Sequence, residues 1–163
     1  MKLYSDAVLW GENWLNNNGI NIKWPKEGDV FYFQLSDGRL GYGMVALGKI
    51  DVGPFKNAIV IYIYDNFILS LDEDIILNKE NLLLPTIITD ASCWKNGFFV
   101  TFKNIDSNSM DIYPEHYFKN PIRNKVYDHH GAVTNLLIDN IPVGEESIQF
   151  YKSIIKSIEN TLN

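Results

Sequence analysis

The strongest pattern along this chain is an aromatic and β-branched run, Asp29-Val30-Phe31-Tyr32-Phe33-Gln34-Leu35, followed by a second run from Leu40 to Leu47. Asp37-Gly38 lies between them, and Asp-Gly flanked by two such runs predicts a β-hairpin whose two turn residues both take positive φ. Gly41 and Gly43 fall on one face of the second strand. A face without side chains over two positions either bends the strand sharply or receives a large aromatic against its backbone. Asn57 to Tyr64 is apolar on both faces and predicts an interior strand. Thr86 to Thr89 and Gly97 to Phe102 read as two more strands, joined through Cys93-Trp94-Lys95-Asn96, and Ala132 to Ile138 as another. Connection lengths make all of them antiparallel.

Helical spacing takes over at the two ends. Ser5 is placed to cap a helix with Ala7, Trp10 and Trp14 on one face and Asn18-Gly19 as its stop. Toward the other end, Glu145-Glu146 open a helix whose apolar stripe is Ile148, Tyr151, Ile154, Ile155, Ile158 and Leu162. Lys152, Lys156 and Glu159 point elsewhere, so the stripe packs on the sheet. The stretch from Asp65 to Pro85 reads as irregular with one short helical turn near Asn78. Residues 103 to 131 hold aromatics, prolines and all three histidines without periodicity and read as a long surface excursion. The expected fold is therefore α+β, a strongly curved antiparallel β-sheet or small β-barrel with an N-terminal and a C-terminal helix packed on it. No repeat or linker interrupts residues 1–163, which read as a single domain.

Composition narrows the setting. At 163 residues and 46% hydrophobic, the chain can bury roughly two-thirds of the surface exposed by its unfolded form. Cys93, the single cysteine, has no intramolecular disulfide partner and reads as a buried small hydrophobe in a reducing compartment. Met1-Lys2-Leu3-Tyr4-Ser5-Asp6 lacks the apolar core of a signal peptide, and no run of about 18 apolar residues follows. The expected address is cytoplasmic, away from membranes. A net charge of −6 with only Arg39 and Arg123 as arginines argues against a nucleic-acid partner and favours a basic one.

Candidate chemistry is sparse. Asp128-His129-His130 is the most suggestive polar cluster, and a metal-dependent hydrolase centred on it, with His116 as a further ligand, is one alternative. Adjacent histidines on an extended strand point to opposite faces and share an ion only across a turn, so the plainer reading is a surface turn before Gly131. Glu115, Tyr113 and Tyr117 near His116 invite acid–base chemistry, against which stands the commoner buried, hydrogen-bonded histidine. No Gly-x-Ser-x-Gly elbow, phosphate-binding loop or His-Glu-x-x-His is present, so neither catalysis nor a cofactor is expected. Asp72-Glu73-Asp74 is the densest charge run: either a solvated loop tip or a patch that steers a basic partner. It lacks the ligand spacing of a calcium loop. Tyrosines in irregular segments, such as Tyr113, Tyr117 and Tyr127, suit interface anchoring where they are exposed. A carbohydrate- or peptide-binding β module using such aromatics is the other alternative.

One further pattern is specific. Gly28-Asp29-Val30-Phe31, then Phe33 and Leu35, Asp37-Gly38, Gly41-Tyr42-Gly43 and Val45 resemble the immunity protein 26 family of bacterial polymorphic toxin systems. Ile61-Tyr62-Ile63-Tyr64-Asp65 and Trp94 before Gly97-Phe98 resemble it too. The resemblance implies a non-enzymatic protein that stays in the cytoplasm of the producing cell and neutralises a cognate toxin by binding it, as in contact-dependent growth inhibition. It gives Gly28, Asp29, Phe31, Asp37, Gly38, Gly41 and Gly43 structural parts, with Asp29 anchoring the strand entry. Toxins of this kind include nucleases with basic clefts. Charge and aromatic chemistry then single out Asp72, Glu73, Asp74, Tyr113, Glu115, Tyr127 and Asp128 as the expected partner-binding residues. The sequence leaves the oligomeric state open.

Overall fold

The computed structural model describes residues 13–15, 21–134 and 141–163. The protein is mostly β. Strands β1 (Asn13–Leu15) and β2 (Asn21–Lys23) form a small antiparallel ribbon. Strands β3 (Asp29–Gln34), β4 (Leu40–Val52), β5 (Phe55–Ile68) and β6 (Ile87–Thr89) belong to a six-stranded sheet, with β7 (Val100–Asn104) beside β3. A second sheet holds β8 (Tyr117–Asn120), β9 (Lys125–Asp128), β10 (Val133–Thr134) and β11 (Val143–Glu145). Strand β12 (Ile148–Gln149) returns to the first sheet beside β6, and the chain ends in helix α2 (Tyr151–Leu162); α1 is the single turn Ser92–Lys95.

The six-stranded sheet is buried on both faces, and the two-residue period of a strand sorts the side chains. Phe31, Phe33, Val45, Ile59, Ile61 and Ile63 face one way, into a core shared with Trp94, Phe99, Ile154 and Ile158. Val30, Tyr42, Met44, Ala46, Ala58, Val60, Tyr62 and Tyr64 face the other way, into a core with Tyr113 and Phe118 from the second sheet's side. Helices therefore cover one face and the second sheet the other. This explains why Asn57 to Tyr64 is apolar at successive positions.

Register shows what the glycines do. Phe31 pairs with Gly43 and Phe33 with Gly41 across the β3–β4 ladder. A Cβ on Gly41 would run into the Phe33 ring, and one on Gly43 into the Phe31 ring and the Tyr62 carbonyl. The aromatic alternative wins, and no sharp bend is needed. The sheet ends at β12 and β7 without closing into a barrel, so the strongly curved or barrel expectation is not met. The hairpin forms, but Gly38 alone takes positive φ, +88°. Leu35 and Gly38 close a tight turn through Gly38 N–H to Leu35 O at 3.0 Å, and Leu35 N–H donates to Arg39 O at 2.8 Å. This is a three-residue loop with a left-handed glycine.

Other expectations are corrected. Of the N-terminal helix, Trp14 instead lies on β1, and residues 1–12 and 16–20, with the Asn18-Gly19 stop, are outside the described ones. Residues 103–131 are not a surface excursion, because they contain β8 and β9. The residues near Asn78 form a turn, with Asn81 N–H on Asn78 O at 3.0 Å, in place of a helix. Strand β6 pairs with β5 and β7 with β3, so they are not neighbours. Two short pairs, β11–β8 and β12–β6, are parallel. Helix α2 begins at Tyr151, since Ile148 is on β12, and it seats Ile154 and Ile158 in the core as expected. Only Val133 and Thr134 of the 132–138 strand are seen as strand, and residues 135–140 are outside the described ones.

Candidate functional site

Two places carry distinctive polar chemistry. The first is the loop that leaves β5. Leu69, Leu71 and Ile76 are exposed at 78%, 40% and 61%, with Asp72, Glu73 and Asp74 exposed between them. The loop is held by its own groups. Glu73 Oε2 accepts from Leu69 N–H and from Ser70 N–H at 2.8 Å, and Ser70 Oγ accepts from Asp72 N–H at 3.2 Å. The Tyr42 hydroxyl pins the far end, donating to Ile76 O at 3.0 Å while accepting from Ile76 N–H and Asn66 Nδ2. Beyond it, Lys79 pairs with Asp111 at 2.8 Å, and this bond holds the Asp111 carboxyl below its ordinary range and the Lys79 ammonium above. Glu73 is thus committed to backbone amides, whereas Asp72 and Asp74 project from a braced loop.

The second place lies at the open end of the β8–β9 hairpin. Tyr117–Asp128 is the last rung, and beyond it the two segments stay close, with His116 N–H reaching His129 Nδ1 at 3.4 Å and Glu115 Oε2 lying 3.5 Å from the same nitrogen. Asp128 shapes the turn, its Oδ1 accepting from His130 N–H at 3.0 Å and Ala132 N–H at 2.9 Å. The His129 and His130 rings come to 4.0 Å between centroids. The two histidines lie on the turn before Gly131 expected from sequence, and so are not forced to opposite faces. Glu115, His129 and His130 each bring a ligand-type atom within 4.8 Å of the others. The triplet expected from sequence is thus altered: Asp128 is occupied by the turn, and Glu115 takes its place.

His116 is 2% exposed, and its Nε2 lies 2.7 Å from the Tyr62 hydroxyl. That hydroxyl also accepts from Tyr113 N–H at 3.0 Å, so one oxygen holds the Tyr113 backbone and the His116 ring together. Burial, with His129 adding to it, pushes the His116 pKa down to about 4. The ring is neutral at pH 7 and serves as a buried, hydrogen-bonded histidine. Burial also lowers the His129 pKa, with His130 contributing. Tyr62→Phe would leave Tyr113 N–H and His116 Nε2 buried without partners. The expected cost is about 2 kcal/mol, read from urea unfolding. A change below about 0.5 kcal/mol would mean that the hydroxyl does not hold these two segments together.

The expected partner-binding residues thus fall in two separate neighbourhoods, Asp72, Glu73 and Asp74 after β5, and Glu115, Tyr127 and Asp128 around β8 and β9. Tyr113 is 7% exposed and Tyr127 8%, with the Tyr113 hydroxyl donating to Lys79 O. Exposed apolar side chains cluster instead at Leu69, Leu71 and Ile76, within the stretch read from sequence only as irregular. Of the structural set, Asp29 accepts from Lys26 N–H and Asn104 Nδ2 at 3.0 and 2.8 Å, tying β3 to β7. Gly28 stands at φ +87° with Ile105 O against it. Asp37 holds Arg39 at 2.8 Å. Cys93 is buried, and that burial pushes its thiol pKa up, away from the reactive thiolate.

A cavity of about 560 Å³ opens where the sheets meet, lined by groups such as Leu84, Thr86, Lys119 and Glu145. It contains neither a histidine nor a cysteine. Among the described residues no helix is long and apolar enough to cross a membrane.

A rigid, aromatic-packed β scaffold with a braced acidic loop defines a small mostly-β domain whose distinguishing surface is carried on loops. The chain belongs to the immunity protein 26 family, whose family model matches residues 26–125. The match covers the hairpin, β5 to β8 and the acidic loop. Comparison with curated proteins and with solved structures finds no match. Membership of an immunity protein family implies a toxin as partner.

Proposed function

We propose that this protein neutralises a cognate toxin domain by binding it without catalysis, and that loop 69–76 is the centre of the contact. The observation that carries this reading is the composition of the loop. Of the six exposed large hydrophobic side chains among the described residues, three, Leu69, Leu71 and Ile76, stand there together with Asp72 and Asp74. Large apolar groups ringed by charge on a pre-shaped loop favour a protein partner, because binding them costs little further ordering. The acids steer a basic surface such as the substrate cleft of a nuclease. The cytoplasm of the producing cell is where such protection operates.

Co-expression with the adjacent toxin gene is expected to restore growth and to yield a one-to-one complex. Neither rescue nor co-purification would end this reading. Replacing Asp72 and Asp74 together by lysine is expected to slow association about tenfold at low salt, with the gap narrowing as ionic strength rises. Surface plasmon resonance at two salt concentrations measures this. An unchanged on-rate would move the contact away from the loop.

A further inference from the structure

We propose that Glu115, His129 and His130 form a binding site for a divalent transition-metal ion of the zinc type. Three features carry it. Two imidazoles and one carboxylate are a donor set suited to Zn²⁺, and here each has a ligand-type atom within 4.8 Å of the others. Glu115 Oε2 lies 3.5 Å from His129 Nδ1, close to the separation of about 3.4 Å expected between neighbouring donors on a tetrahedral ion with bonds of about 2.1 Å. Lastly, the electrostatics are incomplete without a cation. His129 Nδ1 accepts a long 3.4 Å hydrogen bond from His116 N–H, and Glu115 Oε2 is buried with no hydrogen-bond donor. Two acceptors confronting one another at that distance repel unless a positive charge lies between them.

The hairpin makes the arrangement stiff. Glu115 stands two residues before β8 and His130 two residues after β9, and the turn that orients the histidines is fixed by Asp128 Oδ1 on two backbone amides. Only the His116 N–H contact, longer than an ordinary hydrogen bond, competes for the Nδ1 lone pair. His130 is the exposed member, leaving a fourth position on its side for water. Such an ion ties the segment before β8 to the turn after β9.

The rival is a proton on His129, and titration of tag-free, chelator-stripped protein with ZnCl₂ separates the two. The expected result is one bound ion per chain, and a Tm raised by roughly 5 °C or more at a hundredfold excess over Kd. Glu115→Gln and His130→Ala should each weaken Zn²⁺ binding at least about tenfold. His130 is exposed, so its loss spares the core and keeps the test interpretable. Co²⁺ in place of Zn²⁺ should give the intense visible absorption of a four-coordinate site. Absence of binding, undiminished affinity in both variants, or the pale spectrum of six-coordinate Co²⁺ overturns the proposal. The isolated protein is used, so the outcome stands apart from toxin binding.

Discussion

Truncating Phe31 to alanine is expected to remove about 4 kcal/mol of stability, a large share of what a domain of this size holds. Phe31 is fully buried, stacked on Phe99 at 4.1 Å between centroids and edge-on to Trp94 at 5.1 Å. Its ring also covers the bare backbone at Gly43. Alanine would leave a cavity in front of a strand with no side chain to fill it. Trp94 is held by its own hydrogen bond, indole N–H to Thr101 Oγ1 at 3.0 Å, which limits collapse into the gap. Urea unfolding should show the midpoint fall with the slope unchanged. A loss under about 2 kcal/mol would mean that Phe99 moves in to take the space.

The second large effect comes from adding an atom. Gly43→Ala is expected to cost about 3 kcal/mol, at the upper end of overpacking, because the new methyl meets both the Phe31 ring and the Tyr62 backbone carbonyl. A ring can tilt; a carbonyl in the middle of the β4–β5 ladder cannot. The two changes should therefore be coupled by about 1 kcal/mol in a double-mutant cycle, with Phe31→Ala relieving only part of the Gly43→Ala cost. Full relief would show that the carbonyl contact is soft, and strict additivity that the ring is not in the way. Displacing Tyr62 also disturbs the hydroxyl that holds Tyr113 and His116, so near-ultraviolet circular dichroism of Gly43→Ala should change even where the fold survives.

What could be read from sequence was local. The Asp37-Gly38 hairpin is a matter of a few adjacent residues, and both flanking runs declare themselves. Even there the turn type escaped, because Asp37 keeps ordinary φ and only Gly38 crosses into the left-handed region. The glycine pair allowed a bend or a covering aromatic, and only the register, Phe31 on Gly43 and Phe33 on Gly41, decides between them. The second sheet was hidden for a different reason. Tyr117–Asn120 and Lys125–Asp128 are four residues each, mix charge with aromatics, and are joined by a turn whose left-handed residue is Asn124 and not a glycine. Had that hairpin been recognised, its last rung, Tyr117 on Asp128, would have brought the segment before β8 beside the histidine turn. Ile148 shares the helical spacing of Ile154 and Ile158, yet it pairs in parallel with Ile88, a contact 60 residues away in sequence that no local pattern announces. In the acidic loop the charges were legible, but not that the Glu73 carboxylate is turned onto backbone amides while Asp72 joins the bracing only through its own amide.

Residues 143–149 complete both sheets, β11 closing one beside β8 and β12 closing the other beside β6. During synthesis these two strands emerge after every other strand among the described residues. Until then the nascent chain carries two open strand edges with unpaired amides and carbonyls, the feature most prone to sticking to a neighbouring chain. The edges at β6 and β8 are thus covered late, and the strands that replace them as edges are only two and three residues long, a poor template for a neighbouring chain to extend.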